Sequence, residues 1–287
     1  MMLNNGAGCP RGMRNYGFRF PSLTTWRNLL QVRLLGTMEI LDDRGSMVSI
    51  GAPMLRATLA ALALRARHVV PSSELVDQLW GSCPPPTAGP TMRNYIKRLR
   101  RVLPGNHIRT EAGGYRLEVD RNEIDVERFR DLLLRSRRAN PEDLAYAAET
   151  LDEALALWRG TPLTDISDSP LRSFEQTRLE ELHLTAAEER FAIGLQLGEH
   201  AELLEEIIVM GQSHWARERL VHHWMTALYR CGRTADALTV YRSTRKRMVE
   251  ELGIEPGAEL RELEQAILRA DPALTVRRIS LECETAV

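Results

Sequence analysis

Five basic side chains lie between positions 93 and 101 of the sequence, with no acidic residue among them. Guanidinium and ammonium groups neutralise phosphates, and arginine also donates two parallel hydrogen bonds to the major-groove edge of guanine. Asn94 lies in the same stretch, and asparagine pairs in a similar way with adenine. These residue types predict contacts with a nucleic acid.

The spacing of this stretch is that of an amphipathic helix. It begins after the three prolines at 84–86 and ends at Pro104-Gly105, because proline is excluded from helix interiors. An apolar stripe repeats at helical spacing and consists of Met92, Ile96, Leu99 and Leu103. The opposite face carries Arg93, Asn94, Lys97, Arg98 and Arg101, with Arg100 on its flank. We expect the apolar stripe to pack on a core and the basic face to remain free.

The surrounding segments indicate how this helix is positioned. Alternating apolar residues from 32 to 50 predict a small antiparallel sheet. Helical periodicity follows over 53–67 and over 72–80, with Ser72 as the expected N-cap. After the basic helix, Gly113-Gly114 between alternating apolar residues predicts a β-hairpin over 108–117. A sheet, three helices and a hairpin are the order of a winged helix-turn-helix domain with an N-terminal sheet.

A basic helix face also has an ordinary interpretation, since solvated charged faces occur on many proteins. Two features favour DNA binding instead. No acidic residue lies at i,i+4 spacing to neutralise the face. Two shorter helices also precede it at helix-turn-helix spacing.

The second half of the chain has helical periodicity throughout. Amphipathic segments cover 125–138, 141–158 and 169–198. Ala154 and Trp158, like Ala237 and Tyr241, have the small-to-aromatic spacing of tetratricopeptide repeats. The fold class expected for the whole chain is therefore mainly α with a small β component, a winged helix-turn-helix domain followed by an all-α tetratricopeptide-like domain.

Charge divides between the two halves although the formal net charge of the chain is only −1. Residues 1–31 and 32–120 each carry +4, whereas residues 121–287 carry −9. A basic front half suits a polyanion, and an acidic back half suits a different partner.

Motifs for catalysis or metal binding are not evident. The four cysteines have no zinc or redox spacing, and His222-His223 are neighbours that point to different helix faces. No apolar run is long enough to cross a membrane. We therefore expect neither an enzyme nor a bound metal, cofactor or membrane.

Several stretches resemble the Streptomyces antibiotic regulatory protein family, over roughly residues 32–275. In the first half they are "PPPTAGPTMRNYIKRLRRVL" and "IRTEAGGYRL", and in the second "DEALALWRGTPL" and the segment from Ala227 to Leu274. The resemblance is to the short form, an OmpR-type winged helix followed by a bacterial transcriptional activation domain. Pro90, and Trp215 where proline is usual, depart from the family pattern.

This resemblance implies roles for individual residues. The base-facing residues would be Arg93, Asn94, Lys97 and Arg98. The phosphate-facing residues would be Thr91, Arg100 and Arg101. The wing would include Arg109, Thr110, Gly113, Gly114 and Tyr115.

The expected organisation has four parts: a flexible N-terminal extension over 1–30, a winged-helix DNA-binding domain over 31–120, a helical activation domain over 121–275 and a tail over 276–287. The resemblance implies a cytoplasmic, pathway-specific activator of a secondary-metabolite (antibiotic) gene cluster. It would bind direct repeats in double-stranded promoter DNA as a homodimer and recruit RNA polymerase holoenzyme, including its sigma factor. A helical-repeat scaffold without specific DNA binding and an enzyme with an unrecognised site are the alternatives.

Overall fold

The computed structural model describes residues 30–275; the sequence-based predictions for residues 1–29 and for the 276–287 tail lie outside this range. The first half contains eight short elements: β1 (Gln31–Arg33), β2 (Glu39–Leu41), α1 (Pro53–Ala63), β3 (Val70–Pro71), α2 (Ser72–Trp80), α3 (Ala88–Val102), β4 (Ile108–Glu111) and β5 (Gly114–Leu117). This is the element order of a winged helix-turn-helix domain with an N-terminal sheet.

The second half is helical. It contains α4 (Asp125–Arg138), α5 (Leu144–Leu155), α6 (Pro170–Leu197), α7 (Leu204–Ser213), α8 (Glu218–Arg230), α9 (Thr234–Arg247) and α10 (Ala258–Leu268), with a π-helical turn at Met248–Leu252 and 3₁₀ turns at Arg121–Glu123 and Pro272–Leu274. Neighbouring helices pack against each other along the chain, which is the arrangement of helical-repeat proteins.

Two small antiparallel sheets hold the first half together. In the first sheet β1 pairs with β2, and Val32 lies opposite Ile40. The strand expected after the turn, over residues 47–50, is reduced to a single bridge between Leu41 and Met47. The second sheet has the order β3-β5-β4, so β4 is an edge strand.

Gly114 allows the close pairing of β3 with β5. A Cβ atom at this position would lie 2.2 Å from the carbonyl oxygen of Val70. Any side chain here would push the two strands apart, so the base of the hairpin requires glycine.

Three local predictions were wrong in detail. Ser72 is the first residue of α2 rather than its N-cap, and its backbone N–H donates to the Gly113 carbonyl at 2.9 Å. The first helix ends at Ala63, and the chain then turns and reaches a positive φ at Arg67. Trp158 lies in the turn after α5, where its ring packs edge-on to Phe129 and stacks on His183.

The second small-to-aromatic pair lies on one helix, as predicted. Ala237 and Tyr241 are both in α9 and are buried in the core of the last helices. Trp215 lies in the turn between α7 and α8, and the guanidinium of Arg247 lies 4.0 Å from the centre of its ring.

The hydrophobic core does not stop at the end of the winged helix. A single cluster of buried residues runs from Leu30 in the first half to Ala186 in α6. Ile124 and Phe129 are completely buried in this cluster together with Val32 and Leu34. The N-terminal sheet and the first helices of the second half therefore share one core.

Asp125, at the start of α4, is the polar centre of this junction. Its carboxylate accepts hydrogen bonds from the backbone N–H groups of Leu34, at 2.7 and 2.8 Å, and of Leu35, at 2.9 Å. Arg159 lies at 3.5 Å and also pairs with Glu39 at 2.9 Å. Burial raises the pKa of Asp125 above its usual 3.8, while the backbone donors and Arg159 oppose this shift.

Among residues 30–275, no helix is both long and apolar enough to cross a membrane.

Candidate nucleic-acid interface

Helix α3 packs on the core through the apolar stripe that the sequence predicts. Met92, Ile96, Leu99 and Leu103 are all buried, with at most 4% of each residue exposed. Tyr95 lies at the edge of the stripe and stacks on Trp80 of α2, with ring centres 6.2 Å apart. These contacts fix the rotation of α3 about its axis and therefore determine which side chains face solvent.

The free face of α3 carries the predicted polar residues. All six are exposed: Arg93, Asn94, Lys97, Arg98, Arg100 and Arg101. Thr91 is half-buried at the start of the helix, beside Pro90. Arg100 and Arg101 lie in the last turn, where positive charge is favoured by the helix dipole.

Ion pairing separates two kinds of basic residue in the first half. Six arginines lie within salt-bridge distance of a carboxylate: Arg33, Arg56, Arg65, Arg67, Arg116 and, at the junction, Arg121. In the described part of the chain, the five cations of α3 have no acidic partner, and neither does Arg109 of β4. Uncompensated cations are therefore concentrated on one helix and the adjacent hairpin, which gives this surface the positive charge that binding of a polyanion requires.

The hairpin formed by β4 and β5 stands beside α3. Arg109 and Thr110 of β4 are exposed, and the turn at Gly113 adopts a positive φ of 81°. Gly114 and Tyr115, predicted as part of the wing, are buried at its base. They therefore shape the hairpin, and the residues of the wing that can contact a ligand are the exposed ones, Arg109 and Thr110.

Arg116 cannot add to the basic face in the way that its residue type suggests. Its guanidinium pairs with Glu111 at 3.0 Å and with Glu118 at 2.5 Å. The two carboxylates compensate its charge, so Arg109 carries the free charge of the wing.

Arg100 makes contacts that the sequence does not reveal. Its Nε donates to the carbonyl oxygen of Ile108 at 3.0 Å, and its Nη2 donates to Thr110 Oγ1 at 2.7 Å. Both acceptors belong to β4. No periodicity or motif links a helix residue to a strand that follows it by 8 to 10 positions.

Metal-binding geometry is not found between residues 30 and 275, where no three His, Cys, Asp or Glu side chains cluster suitably. Cys83 and Cys231 are free thiols, and the other two cysteines lie outside the described range.

Two family models match the chain, one in each half. The model described as "Transcriptional regulatory protein, C terminal" matches residues 51–117, which include α3 and the wing. The model described as "Bacterial transcriptional activator domain" matches residues 124–268. The regulatory protein DnrI of Streptomyces peucetius is 38% identical over 257 residues, which cover 85% of this chain and 94% of that protein. The chain belongs to the Streptomyces antibiotic regulatory protein family.

Relatives in this family differ greatly in length. The regulatory protein AfsR of Streptomyces griseus is 39% identical over 258 residues, which cover 89% of this chain but only 26% of AfsR. The chain thus spans about a quarter of AfsR and nearly the whole of DnrI. These relatives are named as regulatory proteins.

A solved structure shares the fold of this family member. It is that of Mycobacterium tuberculosis EmbR in complex with a low-affinity phosphopeptide, with a TM-score of 0.79 and 30% sequence identity. The match covers 85% of this chain and 66% of EmbR. The likeness therefore extends over both the winged helix and the helical half.

Proposed function

We propose that this protein is a sequence-specific DNA-binding activator of transcription. The observation that supports this most directly is the uncompensated basic face of α3, which continues into Arg109 of the wing. In the proposed complex α3 enters the major groove. Arg93, Asn94, Lys97 and Arg98 face bases, while Thr91, Arg101 and the wing contact the DNA backbone.

Membership of the family supports a proposal for the kind of target. We propose that the protein acts in the cytoplasm on the promoters of a secondary-metabolite gene cluster. Two copies would occupy direct repeats, since one winged helix reads only a short half-site and a neighbouring copy adds effective concentration. The mainly acidic helical half would contact RNA polymerase holoenzyme, including its sigma factor.

Contact between neighbouring copies must overcome the negative charge of the helical half. Val249, Leu252 and Ile254 are each about half-exposed, at 45–51%. Flanking ion pairs, Lys246 with Glu250 and Arg247 with Glu251, balance the charge in this segment. An apolar surface with balanced charge can approach another protein without the repulsion expected elsewhere in this half.

Affinity for DNA should fall steeply as salt rises. If each protomer neutralises about three phosphates, the dissociation constant should increase roughly 40-fold between about 50 and 200 mM salt. The measurement is a gel-shift titration with promoter DNA from the neighbourhood of the protein's own gene. Arg233→Ala, which removes an exposed cation at the start of α9 that pairs with Asp236, should leave the slope unchanged. A flat salt dependence would favour the scaffold hypothesis.

Loss of Arg98 and loss of Arg101 should have different consequences. Arg98→Ala should weaken specific binding roughly 5- to 150-fold and relax the preference at one base pair, because a bidentate base contact is lost. Arg101→Ala should weaken binding to all sequences alike, since a phosphate contact carries no sequence information. Both variants are compared on a library of single-base operator variants. Equal, sequence-independent losses would show that Arg98 does not face a base.

A further inference from the structure

Arg100 differs from every other cation on the basic face in what it touches. Its guanidinium donates two hydrogen bonds to β4, to the carbonyl oxygen of Ile108 and to Thr110 Oγ1. Arg101 is the next residue, is also exposed, and has no ion pair or side-chain hydrogen bond in the described part of the chain. The two neighbours therefore have the same chemistry and different environments.

Within residues 30–275, β4 packs on the core through Ile108 but has no side-chain hydrogen bond to α3 other than those of Arg100. β4 is the edge strand of its sheet and pairs only with β5. β5 is anchored on its other edge by β3, and the turn is anchored by the hydrogen bond from Ser72 N–H to the Gly113 carbonyl at 2.9 Å. Without Arg100, the side of the wing nearest α3 would have no side-chain hydrogen bond to that helix.

The geometry of the two bonds also restricts which residue can make them. Nε and Nη2 of one guanidinium lie in a single plane and point in a fixed fork, and here each nitrogen reaches a different acceptor on β4. A lysine ammonium has one nitrogen and cannot occupy both positions. The two hydrogen bonds of Arg100 therefore fix the orientation of β4 relative to α3 as well as the distance between them.

We infer that Arg100 is a positioning residue for DNA recognition: it locks the wing to the recognition helix so that Arg109, between the two anchored residues Ile108 and Thr110, meets the DNA backbone in register with the bases read by α3. This inference rests on the proposed DNA binding. It changes the role expected for Arg100, from a phosphate contact made by charge alone to a link between two contacting elements.

The first test compares alanine and lysine substitutions at positions 100 and 101, because lysine keeps the positive charge and loses the guanidinium geometry. Arg100→Ala and Arg100→Lys should both weaken operator binding, roughly 10-fold and at least 5-fold respectively, because lysine cannot replace the fork. Arg101→Ala should weaken binding roughly 5-fold and Arg101→Lys less than 2-fold, since a phosphate accepts either cation. If Arg100→Lys bound as tightly as the wild type, charge alone would explain Arg100 and the inference would be overturned.

The second test asks whether Arg100 acts through the wing. Arg109→Ala should weaken binding several-fold in the wild type and less than 2-fold when Arg100 is already alanine, because the unanchored wing no longer contributes. In the Arg101→Ala background the full effect of Arg109→Ala should remain. Additive effects in both backgrounds would refute the link. Hydroxyl-radical footprints should also lose protection under the wing in Arg100→Ala and keep it in Arg101→Ala.

Thermal melting separates these effects from simple unfolding. Each variant should melt within a few degrees of the wild type, because the side chains of Arg100 and Arg101 are exposed.

Failure of the proposed function would give a different set of results. If wild type, Arg98→Ala and Arg101→Ala all showed the same weak, salt-independent binding, DNA recognition itself would be rejected. If the wild type recognised DNA and Arg100→Lys bound the operator equally tightly, only the positioning role of Arg100 would be rejected.

Discussion

Replacing Asp125 with alanine should lower the free energy of unfolding of the protein by about 3–5 kcal/mol. The carboxylate accepts from the backbone N–H groups of Leu34 and Leu35, 91 and 90 residues earlier in the chain. Leu34 and Leu35 are completely buried, so their donors would have no water to replace the lost acceptor. Arg159 would lose one of its two carboxylate partners at the same time.

Urea unfolding at neutral pH measures this loss. Asp131→Ala is the matched control, because Asp131 lies on the same helix, is half-exposed and pairs only with Arg135 one turn away. Its loss should change stability by no more than about 0.5 kcal/mol. Asp125→Asn should fall between the two, since the amide keeps one acceptor oxygen without the charge. A loss below about 1 kcal/mol in Asp125→Ala would contradict the role assigned to this junction.

Loss of the Asp125 hydrogen bonds should also reduce activation of transcription in the proposed function. Asp125 joins the sheet that begins the winged helix to the first helix of the second half. Because the core is shared, the position of α3 on DNA in the proposed complex would determine where the helical half lies beside it. Loosening the junction should therefore impair activation even at protein and DNA concentrations that saturate binding.

Acidification should destabilise the helical half through two histidines, His183, which is half-buried, and His223, which is buried. Burial lowers the pKa of His183 from 6.5 to about 4, and nearby His214 acts in the same direction. Burial likewise lowers the pKa of His223 from 6.5 to about 4, with His222 and Arg219 contributing. His183 is half-buried and stacks on Trp158, and His223 is buried and packs against Phe191, so a charged ring at either position would lose much of its hydration.

The sign of this effect follows from the protons bound in each state. Between about pH 6.5 and pH 4 the unfolded chain binds protons at these two positions and the folded chain does not. Stability that is present above pH 6.5 is therefore lost as the pH falls through this window. The free energy of unfolding should be about 2–4 kcal/mol lower at pH 5 than at pH 7 from these two groups together.

Urea titrations at pH 7, 6 and 5 test this prediction. The double variant His183→Gln/His223→Gln will be less stable at pH 7, but its stability should depend less on pH than that of the wild type. The difference between the two slopes isolates the histidines from the carboxyl groups that titrate in the same range. Parallel pH profiles for the two proteins would show that these histidines do not titrate as expected.

Periodic features of this protein were determined by the sequence itself. The four-residue apolar stripe of α3 requires one side of the helix to pack, and this leaves the basic side exposed whatever the rest of the chain does. Gly113-Gly114 between alternating residues likewise defines a hairpin. Long amphipathic runs define α4 and α6 close to their observed ends. Local backbone geometry and burial are sufficient for these features.

Only the tertiary structure decided which charges are free and which are structural. Arg116 and Arg109 are the same residue type on paired strands, yet two carboxylates compensate one and none compensates the other. Arg100 and Arg101 are neighbours, but only Arg100 reaches β4. Asp125 resembles any first-turn acid until the fold brings Leu34 and Leu35 against it. The partners in these contacts lie at distant or non-periodic positions of the sequence, so no local pattern reveals them. A hydrogen bond also requires a short distance and a suitable angle, and only the packed fold brings the two groups into that geometry.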